Sequence, residues 1–265
     1  MPDEKIRLIV NGDDVGMTRE YTDAVLDMLF RGLLCSASLY VPGDDAERAL
    51  GIIRKRPGQS IGIHLALTGA YRPLTGGASL RGEGGLFPAT LAEAAPRVNP
   101  DEAAAEWEAQ IRRVLDAGVA ISHLDSHMGC FEGSPRLYRI GSGLARKYRA
   151  AFIAPPVPRR KHPSGESWDG LDEPDAGLLG LYVLPGGEEE TLENRSAAYW
   201  RLFRGLSRGL YYIWTHPSLD GPGADHEGDI ALRLNEALFW SDPANRARLA
   251  EEGIELAPIP VPAGG

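Results

Sequence analysis

Short apolar runs alternate with longer stretches whose apolar residues recur at helical spacing, and this alternation continues along most of the 265 residues. A chain patterned in that way builds βαβ units, and such units impose a parallel sheet. The runs lie at residues 6–10, 36–41, 60–65, 119–124, 150–154, 210–214 and 254–258, which predicts about seven strands. Helices are expected at 19–31, closed by Gly32, and at 102–117, closed by Gly118, since glycine is the usual left-handed stop. In the second of these Ala104, Trp107, Ile111 and Val114 form one stripe, with Glu102, Glu106 and Arg113 outside it. Residues 190–207, 229–239 and 243–252 also read as helical. No internal repeat is detectable, and the length suits one α/β domain over 1–265. A closed or nearly closed parallel barrel is the first expectation, a doubly wound open sheet the second. Two stretches interrupt the pattern: the glycine-rich residues 69–90, and residues 154–188, rich in proline, glycine and charge. Long loops of this kind usually form lids or binding walls, so both are expected to wall a substrate groove.

Charge narrows the partners. Asp and Glu number 37 against 28 Lys and Arg, a net charge of −9, which disfavours nucleic acid and anionic membranes. The densest basic cluster, Arg159, Arg160 and Lys161, sits in a proline-rich stretch and reads as a solvated loop. Cys35 and Cys130 are too few for a disulfide framework or a cysteine-rich zinc site. The opening MPDEKIRLIVNGDD lacks the apolar core of an export signal, and no apolar stretch approaches the roughly 20 residues of a membrane helix. A cytoplasmic protein without a membrane anchor is expected, and a homodimer is compatible with this composition.

The chemistry-bearing residues fall at the C-terminal ends of the expected strands, the edge at which parallel α/β folds place their sites. Asn11, Asp13 and Asp14 follow the first run. Alone, that carboxylate pair also suits an Asx turn and a helix cap. His64 interrupts the apolar segment IGIHLALT. In SHLDSHMG, His123, Asp125 and His127 recur at period two, hence on one face of an extended segment. His216 follows the run LYYIW, with Trp214 two residues before it. Four of the six histidines thus gather on one rim, whereas His162 and His226 lie in polar loops. A divalent metal accounts for such a gathering of imidazoles and carboxylates, and two His with one Asp leave positions open for water and substrate.

These residues resemble a known family. NGDDVGMT, GLLCSASLYVPG, IGIHLALTG, HLDSHMG and THPS, in this order over about residues 6–218, are similar to the motifs of the YdjC/ChbG-type carbohydrate deacetylases. The resemblance implies a distorted (β/α) barrel related to the polysaccharide deacetylases, one divalent ion, magnesium or zinc, and a small carbohydrate substrate. It assigns Asp14, His64 and His127 as metal ligands, Asp13 as general base and His216 as general acid. Asn11, His123, Asp125 and Trp214 would support these groups or touch substrate. One departure stands out: the family usually carries a further histidine where this chain has Gly129.

The implied reaction is removal of an acetyl group from an N-acetylated sugar. Two other readings compete: metal-dependent hydrolysis of another bond, such as a phosphoester or ureido group, and a sugar-binding homologue without catalysis. Asp13 argues against the last, because a site that only binds has no need of a carboxylate beyond its ligands. Cys130 has no neighbouring base in sequence, and GEGG at 82–85 lacks the lysine of a phosphate loop. Tyr71 and Arg72 are open either to substrate contact or to a solvated lid.

Overall fold

The computed structural model describes residues 5–156, 167–171, 178–187 and 189–260. The expected strands appear as β1 (Ile6–Val15), β2 (Ser36–Leu39), β3 (Ile61–Leu65), β4 (His123–Ser126), β5 (Ala151–Phe152), β7 (Gly209–Thr215) and β8 (Ile254–Leu256). An eighth, β6 (Gly180–Tyr182), lies inside the second expected loop. Three half-buried residues carry too little periodicity to mark a strand beforehand. The helices are α1 (Arg19–Phe30), α2 (Ala46–Ile53), α3 (Leu91–Ala94), α4 (Pro100–Asp116), α5 (Pro135–Tyr148), α6 (Leu192–Arg204), α7 (Ile230–Ser241) and α8 (Pro243–Glu251).

Among the described residues every strand pairing is parallel, and the sheet runs β5-β4-β3-β2-β1-β7-β6. Written as a circle, this is the sequential order of a barrel cut between β5 and β6, so the chain forms a distorted (β/α) barrel and not a doubly wound sheet. β8 pairs with Ile6–Leu8 of β1, along the edge that β2 occupies further on at Asn11–Val15. β1 is therefore the central stave. Its Leu8 and Val10 pack outward into the helical layer with Trp107, Phe131 and Phe239, while Ile9 turns inward to Ile153, Leu210 and Tyr212.

The first loop is tied down by a helix. Glu106, expected outside the buried stripe of α4, is fully buried. Its carboxylate accepts from the backbone N–H groups of Leu74 and Thr75 at 3.0 and 2.7 Å, and Gln110 bonds the N–H and carbonyl of Ala66. The loop's backbone needs partners that a solvated face cannot supply, which is why a polar pair replaces apolar side chains there. Arg159, Arg160, Lys161 and His162 lie outside the described residues. Among the described residues no helix is long and apolar enough to cross a membrane.

Candidate metal centre and catalytic cleft

Strand alternation decides what lines the barrel interior. On β1 the inward series that begins with Ile9 continues as Asn11 and Asp13. Matching positions on the neighbouring strands are Ser36 and Ser38, His64, His123 and Asp125, and Tyr212 and Trp214. The interior is thus apolar near the strand starts and polar near their ends. Asn11 Nδ2 donates to Asp13 Oδ1 at 2.6 Å and to Ser38 Oγ at 2.8 Å, and Ser36 Oγ donates to Asn11 Oδ1. Ser38 Oγ lies 3.0 Å from Asp13 Oδ1 and 2.9 Å from Asp125 Oδ2. One hydroxyl proton serves only one of these carboxylates at a time.

Asp14 could not join this group from a regular strand, where neighbours point to opposite faces. β1 extends past the expected end at residue 10 to Val15, and its register against β2 shifts between Gly12 and Val15. Asp14 sits there at φ 65°. The irregularity aims both carboxylates at the cleft, a known use of strand bulges. Neither Asp caps α1, a role taken by Thr18, whose side chain accepts from the Tyr21 N–H. His127 also lies off the ladder, in a 3-10 turn at His127–Gly133 where Met128 and Gly129 have φ 50° and 70°. That turn places His127 Nδ1 3.4 Å from Asp14 Oδ1.

His64 Nδ1 is 3.0 Å from Asp125 Oδ1, which leaves Nε2 facing Asp13 Oδ2 and Asp14 Oδ1, each at 3.6 Å. A carboxylate behind the imidazole fixes the tautomer of a ligating histidine. Asp14 Oδ1 and His127 Nε2 are buried without a hydrogen-bond partner, and such orphans are costly unless something answers them. Ligand atoms of Asp14, His64 and His127 lie within 4.8 Å of one another. The donor set therefore fits a divalent cation. Asp13, His64 and Asp125 meet the same spacing, but Asn11 and Ser38 already satisfy those two carboxylates.

The electrostatics separate the two adjacent aspartates. Burial works against charge on Asp14, yet Arg233, His127 and His64 outweigh it and hold the carboxyl well below the usual range. Arg233 Nη2 reaches Asp14 Oδ2 at 2.9 Å, its Nε reaches Asp229 Oδ1 at 2.6 Å, and its guanidinium lies 4.0 Å from the Tyr21 ring centre. Burial pushes Asp13 well above the usual range, with Asp125 and Asp14 adding to the effect and His64 and Asn11 opposing it. One aspartate is thus ionised for a ligand's work and its neighbour is basic enough to take a proton. For His64, burial opposes protonation, but Asp13, Asp125 and Asp14 raise it to about 10.

His216 ends the inward series of β7, its Nε2 3.8 Å from Asp13 Oδ2. Its backbone N–H donates to Glu236 Oε2 at 2.5 Å, and Glu236 also accepts from Tyr199 Oη at 2.7 Å and Thr215 Oγ1 at 2.9 Å. Burial, with Arg233 and His64, lowers His216 to about 4 although Asp14 pulls the other way, so the imidazole is neutral at pH 7. His123 is lowered to about 4 by burial as well. It lies inside the barrel between Ser122 Oγ at 2.8 Å and Tyr212 Oη at 3.4 Å, 3.9 Å from Asp125. Its place is behind Asp125, away from the cleft surface.

Asp13, Asp14, His64, His127, Trp214 and His216 open onto one cavity of about 500 Å³. The gap in the barrel supplies Ile153, Pro155 and Val183 to its wall, the last two from the described part of residues 154–188. No residue of 69–90 lines it, and Tyr71 is buried with its hydroxyl on the Met17 carbonyl. Arg233, Glu236 and Asp229 went unnoticed in the sequence because they follow helical spacing on and before α7, where charge ordinarily means solvent. Glu132, also on the cavity wall, is a similar case, and burial pushes its carboxyl up to about 7.

The chain is similar to known proteins along nearly its whole length. The profile of a family described as YdjC-like protein matches residues 7–251. Carbohydrate deacetylase 1 of Listeria innocua is 29% identical over 255 residues, covering 95% of this chain and 98% of that protein. A carbohydrate deacetylase of Thermus thermophilus is 32% identical over 261 residues, covering 92% and 89%. Among solved structures, one from Enterococcus faecalis described as a cellobiose-phosphate cleavage protein superposes with a TM-score of 0.76 at 22% identity, covering 96% of this chain and 98% of the other. That likeness concerns the fold.

Proposed function

The chain belongs to the YdjC-like protein family, and from that premise we propose that it is a metal-dependent carbohydrate deacetylase, a hydrolase that removes the acetyl group from an N-acetylated amino sugar. The curated relatives that carry the name carbohydrate deacetylase along nearly the whole chain support the reaction class. The observation that carries the mechanism is the division between two neighbouring carboxylates: Asp14 points an unpartnered oxygen at His64 and His127, while Asp13 points Oδ2 at the space between His64 and His216.

Asp14, His64 and His127 would hold the ion, and two nitrogens with one carboxylate suit zinc or another first-row divalent, with magnesium the harder alternative. When bound, such an ion polarises the acetyl carbonyl and acidifies a water. Asp13, held in place through Oδ1 by Asn11 and Ser38, accepts the proton of the attacking water at Oδ2. The water oxygen bonds to the carbonyl carbon, the C–N bond breaks, and the nitrogen leaves with a proton, giving acetate and a free amine. Burial keeps His216 neutral at rest, so the proton for the amine is the one Asp13 has taken; His216 Nε2 stands 3.8 Å from Asp13 Oδ2, room for one water to relay it as the C–N bond breaks and the leaving nitrogen becomes basic. His216 would thus still deliver the proton, the general-acid role that the family resemblance implies, without starting as an imidazolium. Trp214, on the cavity wall and edge-on to Tyr212 at 5.2 Å, offers an aromatic face to a sugar ring.

The test is to incubate zinc- or magnesium-loaded protein with N-acetylglucosamine and N,N′-diacetylchitobiose and follow acetate release by mass spectrometry. Loss of one acetyl group is expected. No acetate from either sugar with either ion would refute the reading.

A further inference from the structure

We propose that Glu132 is a specificity-determining residue, accepting hydrogen bonds from hydroxyl or ammonium groups of the bound sugar and setting the cleft against sugars that carry an anionic group; this rests on the deacetylase reading for the identity of the ligand. The geometry begins at Gly129, whose φ of 70° favours glycine. A β-carbon at that position would lie 2.6 Å from Glu132 Oε2. The carboxyl therefore occupies the space that a side chain at residue 129 would fill, and both residues line the cavity beside His127. Glu132 Oε1 is buried without a hydrogen-bond partner. The burial of Oε1 leaves Oε2, the oxygen beside Gly129 on the cavity wall, to accept from a donor on the ligand.

The charge around it points the same way. Glu132 shares the cavity wall with Glu227 and Asp229 in addition to Asp13 and Asp14, and among the described residues Arg233 is the one lysine or arginine in the lining. Arg233 keeps Nη1 without a partner, but its charge is already answered by Asp14 and Asp229 at 2.9 and 2.6 Å. Among the described residues, five acidic side chains thus surround one guanidinium whose charge is already answered, and no second lysine or arginine is left to receive a sugar phosphate or carboxylate. Like-charge contact in a confined site is a means of rejecting ligands as well as of choosing them.

The experiment compares wild type with Glu132→Gln, Glu132→Ala and Gly129→Ala, using N-acetylglucosamine, N-acetylglucosamine 6-phosphate and glucosamine as probes. Binding is read by ligand-observed NMR, and kcat and KM by acetate release. Wild type should bind the two uncharged or cationic sugars at least about tenfold tighter than the phosphate. Glu132→Gln and Glu132→Ala should raise KM for N-acetylglucosamine about tenfold with little change in kcat, the size expected for a hydrogen bond to a charged acceptor, and should narrow the gap to the phosphate. Gly129→Ala, which displaces the carboxyl while leaving Glu132 in the chain, should act in the same direction, with metal content unchanged in all three. Equal binding of sugar and sugar phosphate by wild type, or unchanged KM and preference in Glu132→Gln, would overturn the proposal. Sugar binding with the expected preference but no acetate release would instead refute the deacetylase reading and leave the role of Glu132 standing.

Discussion

The two sides of the cleft are assembled by different means. On one side Asp13, Asp14, His64 and His127 leave the backbone at or just beyond strand ends, His64 from the ladder itself, Asp13 and Asp14 from the register shift in β1, and His127 from the turn after β4. On the other, α7 reaches over the rim with long side chains, Arg233 onto Asp14 and Glu236 onto the backbone of His216. The strand side supplies the groups that react. The helix side supplies no reacting atom, yet it sets the charge state of a ligand and the position of an imidazole. Substitutions on the two sides should therefore fail differently, the first in chemistry and the second in the ion-free stability and tuning of the site.

The largest effect is expected on the strand side. Asp13→Asn keeps the shape of the side chain and removes the proton acceptor, so turnover should fall about 10²- to 10⁴-fold. Metal content, read by atomic spectroscopy after gel filtration, should stay near one ion per chain, whereas Asp14→Asn should lose the ion. If Asp13→Asn also released the metal, the division between the two aspartates would be wrong.

Next comes the main link between the sides. Asp14 and Arg233 are 1% and 3% exposed, and breaking a buried ion pair by removing one partner typically costs about 3–5 kcal/mol. Arg233→Met should therefore lower the melting temperature markedly in a chelator. In saturating zinc the ion answers the charge on Asp14, and much of the loss should be recovered. An equal loss with and without metal would make Arg233 a packing residue and erase the distinction drawn for α7.

The third expectation concerns His64. Its raised pKa means that the ion-free site carries a proton there at neutral pH, a stabilisation present in full below the unfolded value of about 6.5 and lost as the pH rises through about 10. A cation must displace that proton, so metal affinity should rise with pH, about tenfold per unit between pH 6 and 8. Competition with a calibrated chelator measures it. A flat profile would show that His64 enters the site already neutral.

The same contrast explains what the sequence could reveal. His64 and the His123-Asp125-His127 series were legible because imidazoles and carboxylates are expensive inside apolar runs, and the adjacent Asp13 and Asp14 stood out for the same reason. Period two placed His123 and Asp125 on one inward face correctly. It could not foresee that His127 reaches the site through a turn with left-handed residues, or that a bulge carries Asp14 to the same side as Asp13. Arg233, Glu236 and Glu106 were illegible for a different reason. On a helix, an Arg and a Glu three residues apart look like a solvated face, and only the tertiary fold shows that buried backbone groups and a buried carboxylate are waiting for them. The missed strand β6 is the backbone counterpart, three residues whose pairing with β7 is fixed by the barrel and not by their own pattern.

The smallest effect, and the finest test of the helix side, is Glu236→Gln. Glu236 takes the His216 N–H, the Tyr199 hydroxyl and the Thr215 hydroxyl. A glutamine keeps one carbonyl acceptor but turns an amide N–H toward one of these donors. The His216 backbone should then shift slightly, lengthening the 3.8 Å between its Nε2 and Asp13 Oδ2, the gap across which the proton moves. We expect kcat on N-acetylglucosamine to fall by about three- to tenfold with KM nearly unchanged, the pattern of an interaction felt in the transition state more than in binding. An activated acetate ester, whose leaving group needs no proton, should be slowed much less, which separates positioning of His216 from general loosening of the fold. If Glu236→Gln slowed amide and ester equally, or raised KM alone, α7 would stabilise the cleft without tuning its chemistry, and the difference between the two sides would be one of architecture only.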